Sequence, residues 1–247
     1  MKILAVETSG AVAGTAVVED GVLKAEFTLN HKMTHSQTIM PLIDDMKRYL
    51  DLDLNDVDYI ACSAGPGSFT GLRIGAATAK GLAMGVKKPI VPVSTLKSLA
   101  YNVYMTDAVI CPIIDARRGQ VYTAFCEWKD GRLTDVVTDR IAMMDDVLSE
   151  AEAFGRAVIF VGDGIFIHGE KIKSHENFVI APASCNMPRA ASVASLAEEF
   201  VKEGKFIDGS GFAPVYLRKS QAERELEEKC GERKKHDKGH SYDGRIY

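Results

Sequence analysis

Hydrophobic and polar positions alternate along the chain in a pattern that occurs twice. In the first half, three apolar runs predict three successive strands, at residues 2–8, 13–20 and 22–29. In the second half, three runs in the same order predict strands at 111–117, 119–128 and 132–137. An Asp-Gly pair separates the second run from the third each time, at Asp20-Gly21 and Asp130-Gly131, and favours a tight hairpin turn because glycine tolerates a positive φ. The repetition indicates an internal duplication.

Each half continues with shorter strands that are separated by helices. Apolar runs predict strands at 58–67 and 89–95 in the first half and at 156–164 and 177–184 in the second. Apolar residues at helical spacing predict helices over 36–50, 70–86 and 95–105, and over 143–154 and 189–203. Each half then reads βββαβαβα, which predicts an α/β protein with two lobes, each a mixed sheet with helices on its faces. We assign residues 1–106 and 107–218 to these lobes. The order of elements in each lobe resembles the duplicated ribonuclease-H-like fold of the actin-like ATPase (ASKHA) superfamily.

Composition narrows the class of protein. The 247 residues include 30 basic and 34 acidic side chains, a formal charge of −4, whereas a free-standing nucleic-acid binder usually has a basic excess. No apolar run reaches the roughly 18–20 residues of a membrane helix, and the opening MKILAV is too short for a signal peptide. Five widely spaced cysteines without a CxxC pair indicate reduced thiols. We therefore expect a cytoplasmic protein without membrane contact.

The last 29 residues differ in composition from the rest. Among Leu, Ile and Val, the segment 219–247 contains only Leu226 and Ile246, and it is rich in both charges. Such a segment cannot bury enough apolar area to offset the entropy of ordering, so we predict a charged, disordered tail. The remaining 218 residues then have a formal charge of −5.

A glycine-rich segment, GPGSFTGLRIG at 65–75, follows a predicted buried strand. Its glycines free the backbone, and Ser68 can cap a helix whose free N–H groups favour an anion. One interpretation is a phosphate-binding loop with Gly65, Gly67 and Ser68 facing a nucleotide. The other is a tight strand-to-helix turn in which glycine permits close packing. It is not a Walker loop, because Arg73 does not occupy the position of the GK[ST] lysine.

Other polar residues offer weaker candidates for a chemical site. Glu7 and Asp115 occupy corresponding turns of the two repeats, and a carboxylate pair across a cleft can bind a metal or exchange protons. Arg117 and Arg118 follow Asp115 closely, however, so a structural salt bridge is the alternative that we favour. His31 and His35 have the i,i+4 spacing of a metal pair but lack a third ligand, and a histidine near a helix start is more typical of setting that end. We predict no metal site.

Two helices carry features of a contact surface. On the helix 70–86, small and apolar residues at spacings of three and four form a stripe, namely Gly71, Gly75, Thr78, Ala79 and Leu82. Glycine inside a helix costs about 1 kcal/mol relative to alanine, and close approach of another helix, within the subunit or across an interface, compensates. On the helix 36–50, Met40 lies off the core stripe, and Met33 extends this second face. Methionine suits a partner surface because it is adaptable, although scattered exposed apolar residues are the alternative.

Six segments taken together resemble the bacterial TsaB (YeaZ) family over residues 1–218. They are ILAVETS, HSQTIMPLI, AGPGSFTGLRIGAATAKGLA, PVSTL, IIDARRGQVY and PVYLR. The resemblance implies a non-catalytic subunit that dimerises with TsaD, is joined by the ATPase TsaE, and meets tRNA through that complex. The complex, using ATP and Mg, transfers a threonylcarbamoyl group to N6 of adenosine 37 in tRNAs reading ANN codons. The chain itself would bind no cofactor, and a homodimer is possible in isolation.

The resemblance also carries expectations for single residues. TsaD holds a metal through an HxxxH motif, and Thr95 and Leu99 stand at those two positions here, which implies no independent catalysis. In the family, the first two helices of the N-terminal half pack on a partner. The interface residues that we predict are Met33, His35, Ile39, Met40, Gly71, Arg73, Gly75, Thr78, Ala79 and Leu82. The alternative function is an active kinase or ATPase of the same superfamily that uses Glu7, Asp115 and the loop at 65–71; a metalloprotease would lack its ligands.

Overall fold

The first half of the chain forms one five-stranded mixed sheet in the computed structural model, which describes residues 1–31 and 33–218. Its strands are β1 (Lys2–Glu7), β2 (Ala13–Glu19), β3 (Val22–Leu29), β4 (Tyr59–Gly65) and β5 (Ile90–Ser94). Their order is β3-β2-β1-β4-β5, with β1 antiparallel to β2 and parallel to β4. The helices of this half are α1 (His35–Leu50), α2 (Phe69–Val86) and α3 (Thr95–Ala100).

The second half repeats this topology. Its strands are β6 (Val109–Asp115), β7 (Gln120–Lys129), β8 (Arg132–Met143), β9 (Val158–Val161) and β10 (Phe178–Ile180), in the order β8-β7-β6-β9-β10. Its helices are α4 (Met144–Ala153), α5 (Ile165–Lys173) and α6 (Ala190–Lys202). The equivalence of β1 to β6 and of each later element to its counterpart confirms the predicted duplication and the ribonuclease-H-like fold.

The hairpin turns have the backbone that their sequences predict. Asp20 and Gly21 have φ values of 50° and 77°, and Asp130 and Gly131 have values of 51° and 74°. Two successive positive φ values match the right-handed twist of the strands they join, which is why Asp-Gly is favoured there. Both predicted hairpins are therefore confirmed.

Some predicted elements differ in extent from the structure, and one helix was not predicted. The helix predicted over 95–105 ends at Ala100, and a turn follows in which Met105 has a positive φ of 46°. The helix α5 was not predicted as a separate element, although the βββαβαβα pattern requires it. The strand predicted over 132–137 continues to Met143 as the edge strand β8.

The two halves exchange their last helices. On one face of the first sheet, α1 and α2 enclose a core that includes Ile39, Ile43, Met46 and Ala79. The opposite face is covered by α6 from the second half. The short helix α3 of the first half in turn packs on β6 and β7 of the second sheet, with Leu96 and Leu99 buried. Residues 1–216 consequently form one compact unit.

The chain then returns to the first half through residues 207–216, which we call the strap. Ile207 pairs with Ile90 of β5 through two backbone hydrogen bonds of 2.8 and 2.9 Å. Phe212 enters the core beneath α1 and α2 with 2% of its surface exposed. The Lys80 ammonium donates to the carbonyl oxygens of Ser210 and Phe212. These contacts hold the strap alongside α2.

Several predictions concern the rest of the chain. A second unit begins at Leu217, and the predicted disordered tail, residues 219–247, lies outside the described residues. Cys62, Cys111, Cys126 and Cys185 are unpaired, as predicted, whereas Cys230 falls in the undescribed segment. None of the helices in the described ranges combines the length and hydrophobicity needed to cross a bilayer.

Candidate functional site

Glu7, at the end of β1, is fully buried. Its Oε1 atom accepts a hydrogen bond of 2.6 Å from the backbone N–H of Ser9, and its carboxylate also accepts from the hydroxyls of Ser9 and Ser63. Burial raises the pKa of Glu7, and the hydrogen bonds from Ser63 and Ser9 oppose that rise. The carboxylate thus ties the turn after β1 to the neighbouring strand β4.

The glycines at the start of α2 pack against the same turn. The Thr8 hydroxyl donates to the carbonyl oxygen of Gly71 at 2.8 Å. A Cβ atom added to Gly71 would lie 2.1 Å from the carbonyl oxygen of Thr8, and one added to Gly75 would lie 2.3 Å from Thr8 Oγ1. Both distances are far below van der Waals contact. Gly71 and Gly75 therefore allow α2 to approach the turn within the monomer.

The preceding loop is also filled by the chain itself. A Cβ atom on Gly67 would lie 2.3 Å from the carbonyl oxygen of Ser9, which accepts a 2.7 Å hydrogen bond from the N–H of Ser68. Gly65 has a φ of +112°, and its Cβ would lie 2.4 Å from the carbonyl oxygen of Val215 in the strap. Ser68 caps α2 as predicted, because its Oγ accepts from the N–H of Gly71. These contacts support the tight-turn interpretation, and nucleotide binding by this loop stays a prediction.

The second carboxylate belongs to a separate turn. Asp115 Oδ1 accepts a 2.8 Å hydrogen bond from the N–H of Arg117, whose guanidinium lies 3.6 Å from Oδ2. The N–H of Asp115 donates to Asp163, a carboxyl group whose pKa is raised by burial. The predicted salt bridge is confirmed for Arg117. Glu7 and Asp115 each bond within their own half, and no group of three His, Cys, Asp or Glu in the described part of the chain is arranged to hold a metal.

His35 contributes to the start of α1. Its Nε2 lies 2.9 Å from the carbonyl oxygen of Gly10, and the preceding residue, Thr34, forms a capping box with Gln37. His31 lies outside the helix and is exposed, with its Nδ1 3.4 Å from the N–H of Met33. The role predicted for His35 at a helix end is confirmed.

The predicted interface residues divide into two groups. Met33, Met40 and Arg73 are exposed, and His35, Thr78 and Leu82 are half-buried. Ile39, Gly71, Gly75 and Ala79 lie in the interior, where Ile39 and Ala79 belong to the core of the first half. The prediction is wrong for these four, because the Gly71–Gly75–Ala79 stripe faces the chain's own sheet and turn.

A second stripe of small residues lies on the solvent side of α2. Ala77, Gly81 and Gly85 follow one another at intervals of four, and a Cβ atom added to either glycine would meet no atom of the described residues within 4 Å. Met84 beside them is 62% exposed, and Met40 on α1 is 49% exposed. We call eight exposed residues on this helix pair and in the segment before it the outer face; they are Met33, Met40, Pro41, Arg73, Ala77, Gly81, Met84 and Gly85. The sequence contained the second stripe, but spacing alone does not tell which stripe faces inward.

The environment of Glu7 predicts a pH dependence that the variant Glu7→Gln should remove. The folded-state pKa of Glu7 is raised, so its contribution to stability is fully present below the unfolded-state value near 4.5 and is lost as the pH rises through the folded-state value. Glutamine has no charge to bury, and its oxygen can still accept from Ser9 while its NH2 group donates to the Ser63 hydroxyl, which turns to accept. Urea unfolding from about pH 4 to about pH 8 measures the free energy of unfolding of both proteins. Between the unfolded-state and folded-state pKa values of Glu7, the difference, variant minus wild type, should increase by up to about 1.4 kcal/mol per pH unit. Asp139 and Asp163 also have raised pKa values but are present in both proteins. Parallel curves would show that Glu7 ionises freely in the fold.

The chain is similar in sequence to proteins of tRNA modification. The family model described as TsaD, tRNA N6-adenosine threonylcarbamoyltransferase, matches residues 25–226. The tRNA threonylcarbamoyladenosine biosynthesis protein TsaB of Bacillus subtilis (strain 168) is 37% identical over 226 residues, which are 90% of this chain and 96% of that protein. The TsaB of Escherichia coli (strain K12) is 30% identical over 229 residues, covering 92% and 98% of the two chains.

A solved structure agrees with the fold. The crystal structure of an uncharacterised Pseudomonas aeruginosa protein, described as similar to peptidase YeaZ, has a TM-score of 0.78 and is 26% identical to this chain. The match covers 88% of this chain and 99% of that one. The similarity therefore extends over both halves of the fold.

Proposed function

Because the chain belongs to the TsaB family of tRNA threonylcarbamoyladenosine biosynthesis proteins, we propose that it is a non-catalytic subunit that binds TsaD through its outer face. In this proposal TsaD supplies the catalytic residues and the metal, and TsaE supplies ATPase activity. The complex transfers a threonylcarbamoyl group to N6 of adenosine 37 in tRNAs reading ANN codons. This chain meets tRNA only as part of the complex.

The outer face is the observation that carries the proposal. Gly81 and Gly85 each cost the exposed helix about 1 kcal/mol relative to alanine, yet no part of residues 1–31 or 33–218 fills the space above them. Because the stripe of Ala77, Gly81 and Gly85 carries almost no side-chain atoms, another helix can approach to within about 8–10 Å of the axis of α2. Met84 next to this stripe on α2 and Met40 on α1 are exposed, and their adaptable apolar side chains suit a partner surface. The face has the properties of one half of a helix-on-helix interface.

The surroundings of Glu7 and the residues at the positions of the TsaD histidines support a non-catalytic role. Glu7 is enclosed by hydrogen bonds from Ser9 and Ser63, so its carboxylate has no open side for a metal or substrate. Thr95 and Leu99, at the positions of the TsaD histidines, are both fully buried and cannot supply an imidazole. We propose that the chain acts by holding TsaD in its active form.

Reconstitution with purified components tests this proposal. TsaD and TsaE from the same organism, with tRNA, threonine, bicarbonate, ATP, Mg and the enzyme that makes the threonylcarbamoyl donor, should yield the modified nucleoside only when this chain is added. The chain without TsaD should yield none, and calorimetry of the isolated chain with ATP and Mg should show no binding. Nucleoside mass spectrometry measures the product. Full product formation without this chain, or hydrolysis of ATP by the chain alone, would contradict the proposal, and the second result would favour an active kinase or ATPase.

A further inference from the structure

The strap ends in an aromatic contact at the start of α2. Val215 donates its N–H to the carbonyl oxygen of Ala64 at 2.7 Å, which fixes the backbone next to Tyr216. The Tyr216 ring then packs on the Phe69 ring, with centroids 4.7 Å apart and planes inclined by 38°. A segment from the end of the described chain thus becomes part of the surface around the first turn of α2.

Arg73 completes this contact. Its guanidinium carbon lies 3.9 Å from the centroid of the Phe69 ring, and its Nε donates to the Tyr216 hydroxyl at 3.3 Å. A cation over an aromatic face is attracted by the ring quadrupole, and the planar guanidinium stacks well there. Two aromatic residues from distant parts of the sequence therefore hold one exposed guanidinium in place. We call Phe69, Arg73 and Tyr216 the anchor.

The guanidinium lacks an acidic partner within residues 1–31 and 33–218. Arg48, Arg140 and Arg189 each form a salt bridge with a carboxylate, whereas no carboxylate oxygen in these ranges lies within 4.0 Å of the Arg73 nitrogens. The helix α2 contains no acidic residue that could serve. Within the described ranges, no carboxylate occupies the Nη donors of Arg73, so they are available to an acidic partner.

We propose that the anchor binds a carboxylate of the partner protein and that the strap is part of the partner-binding surface. This inference rests on the proposed function and extends it, because it assigns a polar contact to one end of the otherwise apolar outer face. Arginine and tyrosine are enriched among the residues that dominate interface energies, and a preorganised guanidinium loses little freedom on binding a carboxylate. The formal charge of −5 over residues 1–218, with Asp44 exposed on the adjacent helix α1, disfavours an RNA backbone as the occupant.

Affinity of the full chain for purified TsaD tests the anchor. The variant Arg73→Ala should bind about thirtyfold more weakly, and Arg73→Lys about tenfold, because lysine keeps the charge but not the planar stack. Tyr216→Ala should cost about tenfold and Tyr216→Phe only a few-fold, since phenylalanine keeps the ring contact. Raising the salt concentration should weaken the wild type more steeply than Arg73→Ala. The matched control is Arg132→Ala on β8, an arginine that is 72% exposed and pairs with Glu203.

Each result distinguishes this inference from the function on which it rests. Thermal unfolding should be nearly unchanged in the arginine variants and in Tyr216→Phe, and Tyr216→Ala should unfold at a slightly lower temperature because it loses the ring contact with Phe69. If the wild type binds TsaD and Arg73→Ala binds equally well, the anchor is wrong and the proposed function stands. If the wild type does not bind TsaD, both are wrong. If Arg73→Ala keeps its affinity for TsaD but lowers the affinity of the assembled complex for tRNA, the anchor binds a phosphate and the inference is overturned.

Discussion

Replacing Gly71 with alanine should destabilise the isolated protein by about 3 kcal/mol, at the upper end of the range for forcing atoms into a packed interior. The added methyl group would lie 2.1 Å from the carbonyl oxygen of Thr8, a backbone atom that cannot turn aside. Gly75→Ala should cost less, about 1–2 kcal/mol, because its obstacle is the rotatable Thr8 hydroxyl. Urea unfolding of the isolated chain measures both effects.

The matched control for this prediction lies on the other side of the same helix. Gly81→Ala places its methyl group in open space, so the gain in helix propensity should stabilise the chain by up to about 1 kcal/mol. Equal stability of Gly71→Ala and Gly81→Ala would show that α2 does not press on the turn after β1. The changes in the free energy of unfolding should have opposite signs, because the stripe that contains Gly71 is internal and the stripe that contains Gly81 faces solvent.

The two stripes of α2 show what the sequence could predict and what it could not. Gly71, Gly75 and Ala79 have the same spacing as Ala77, Gly81 and Gly85, and the helix is small or apolar on nearly every side. Periodicity identifies a face when the opposite side is polar, and here it is not. The residue that decides the matter is Thr8, 63 positions from Gly71, and only the tertiary structure brings it there.

Local signals explain the predictions that are confirmed. The strands and the two Asp-Gly hairpins depend on neighbouring residues alone, so the duplication was visible in the sequence. The helix α5 has Gly169 in its middle, which weakens its helical pattern, and only Gly162, Asp163 and Gly164 separate it from the strand β9. Element boundaries of this kind depend on packing more than on propensity.

The exchange of the helices α3 and α6 between the two halves could not be predicted from the sequence pattern. The predicted pattern places each helix in the half where it occurs in the sequence, yet α6 covers the first sheet and α3 packs on the second. The strap likewise returns to α2, where Phe212 fills the core and Tyr216 contacts Phe69. The segment PVYLR, which contains Tyr216, carries part of the resemblance to the family but does not predict that this tyrosine contacts α2. Residues such as Tyr216 enter the candidate surface only once the fold is known.

The variant Gly81→Leu should abolish binding to TsaD while leaving the fold intact. A leucine in the stripe of Ala77, Gly81 and Gly85 fills the space through which the partner helix approaches. We therefore expect the affinity for TsaD to fall by at least about a hundredfold. The matched control is Ser149→Leu, which adds the same side chain at an exposed position of α4, the counterpart of α1 in the second half. Gly75→Leu is unsuitable for this purpose, because its clash with Thr8 would damage the fold itself.

Calorimetric titration of TsaD with the wild type, Gly81→Leu and Ser149→Leu tests the outer face most directly. Urea unfolding of each chain beforehand establishes that all three are folded. The account predicts one-to-one binding by the wild type and by Ser149→Leu and no measurable binding by Gly81→Leu. Wild-type affinity in Gly81→Leu would show that TsaD binds elsewhere and would contradict the central claim.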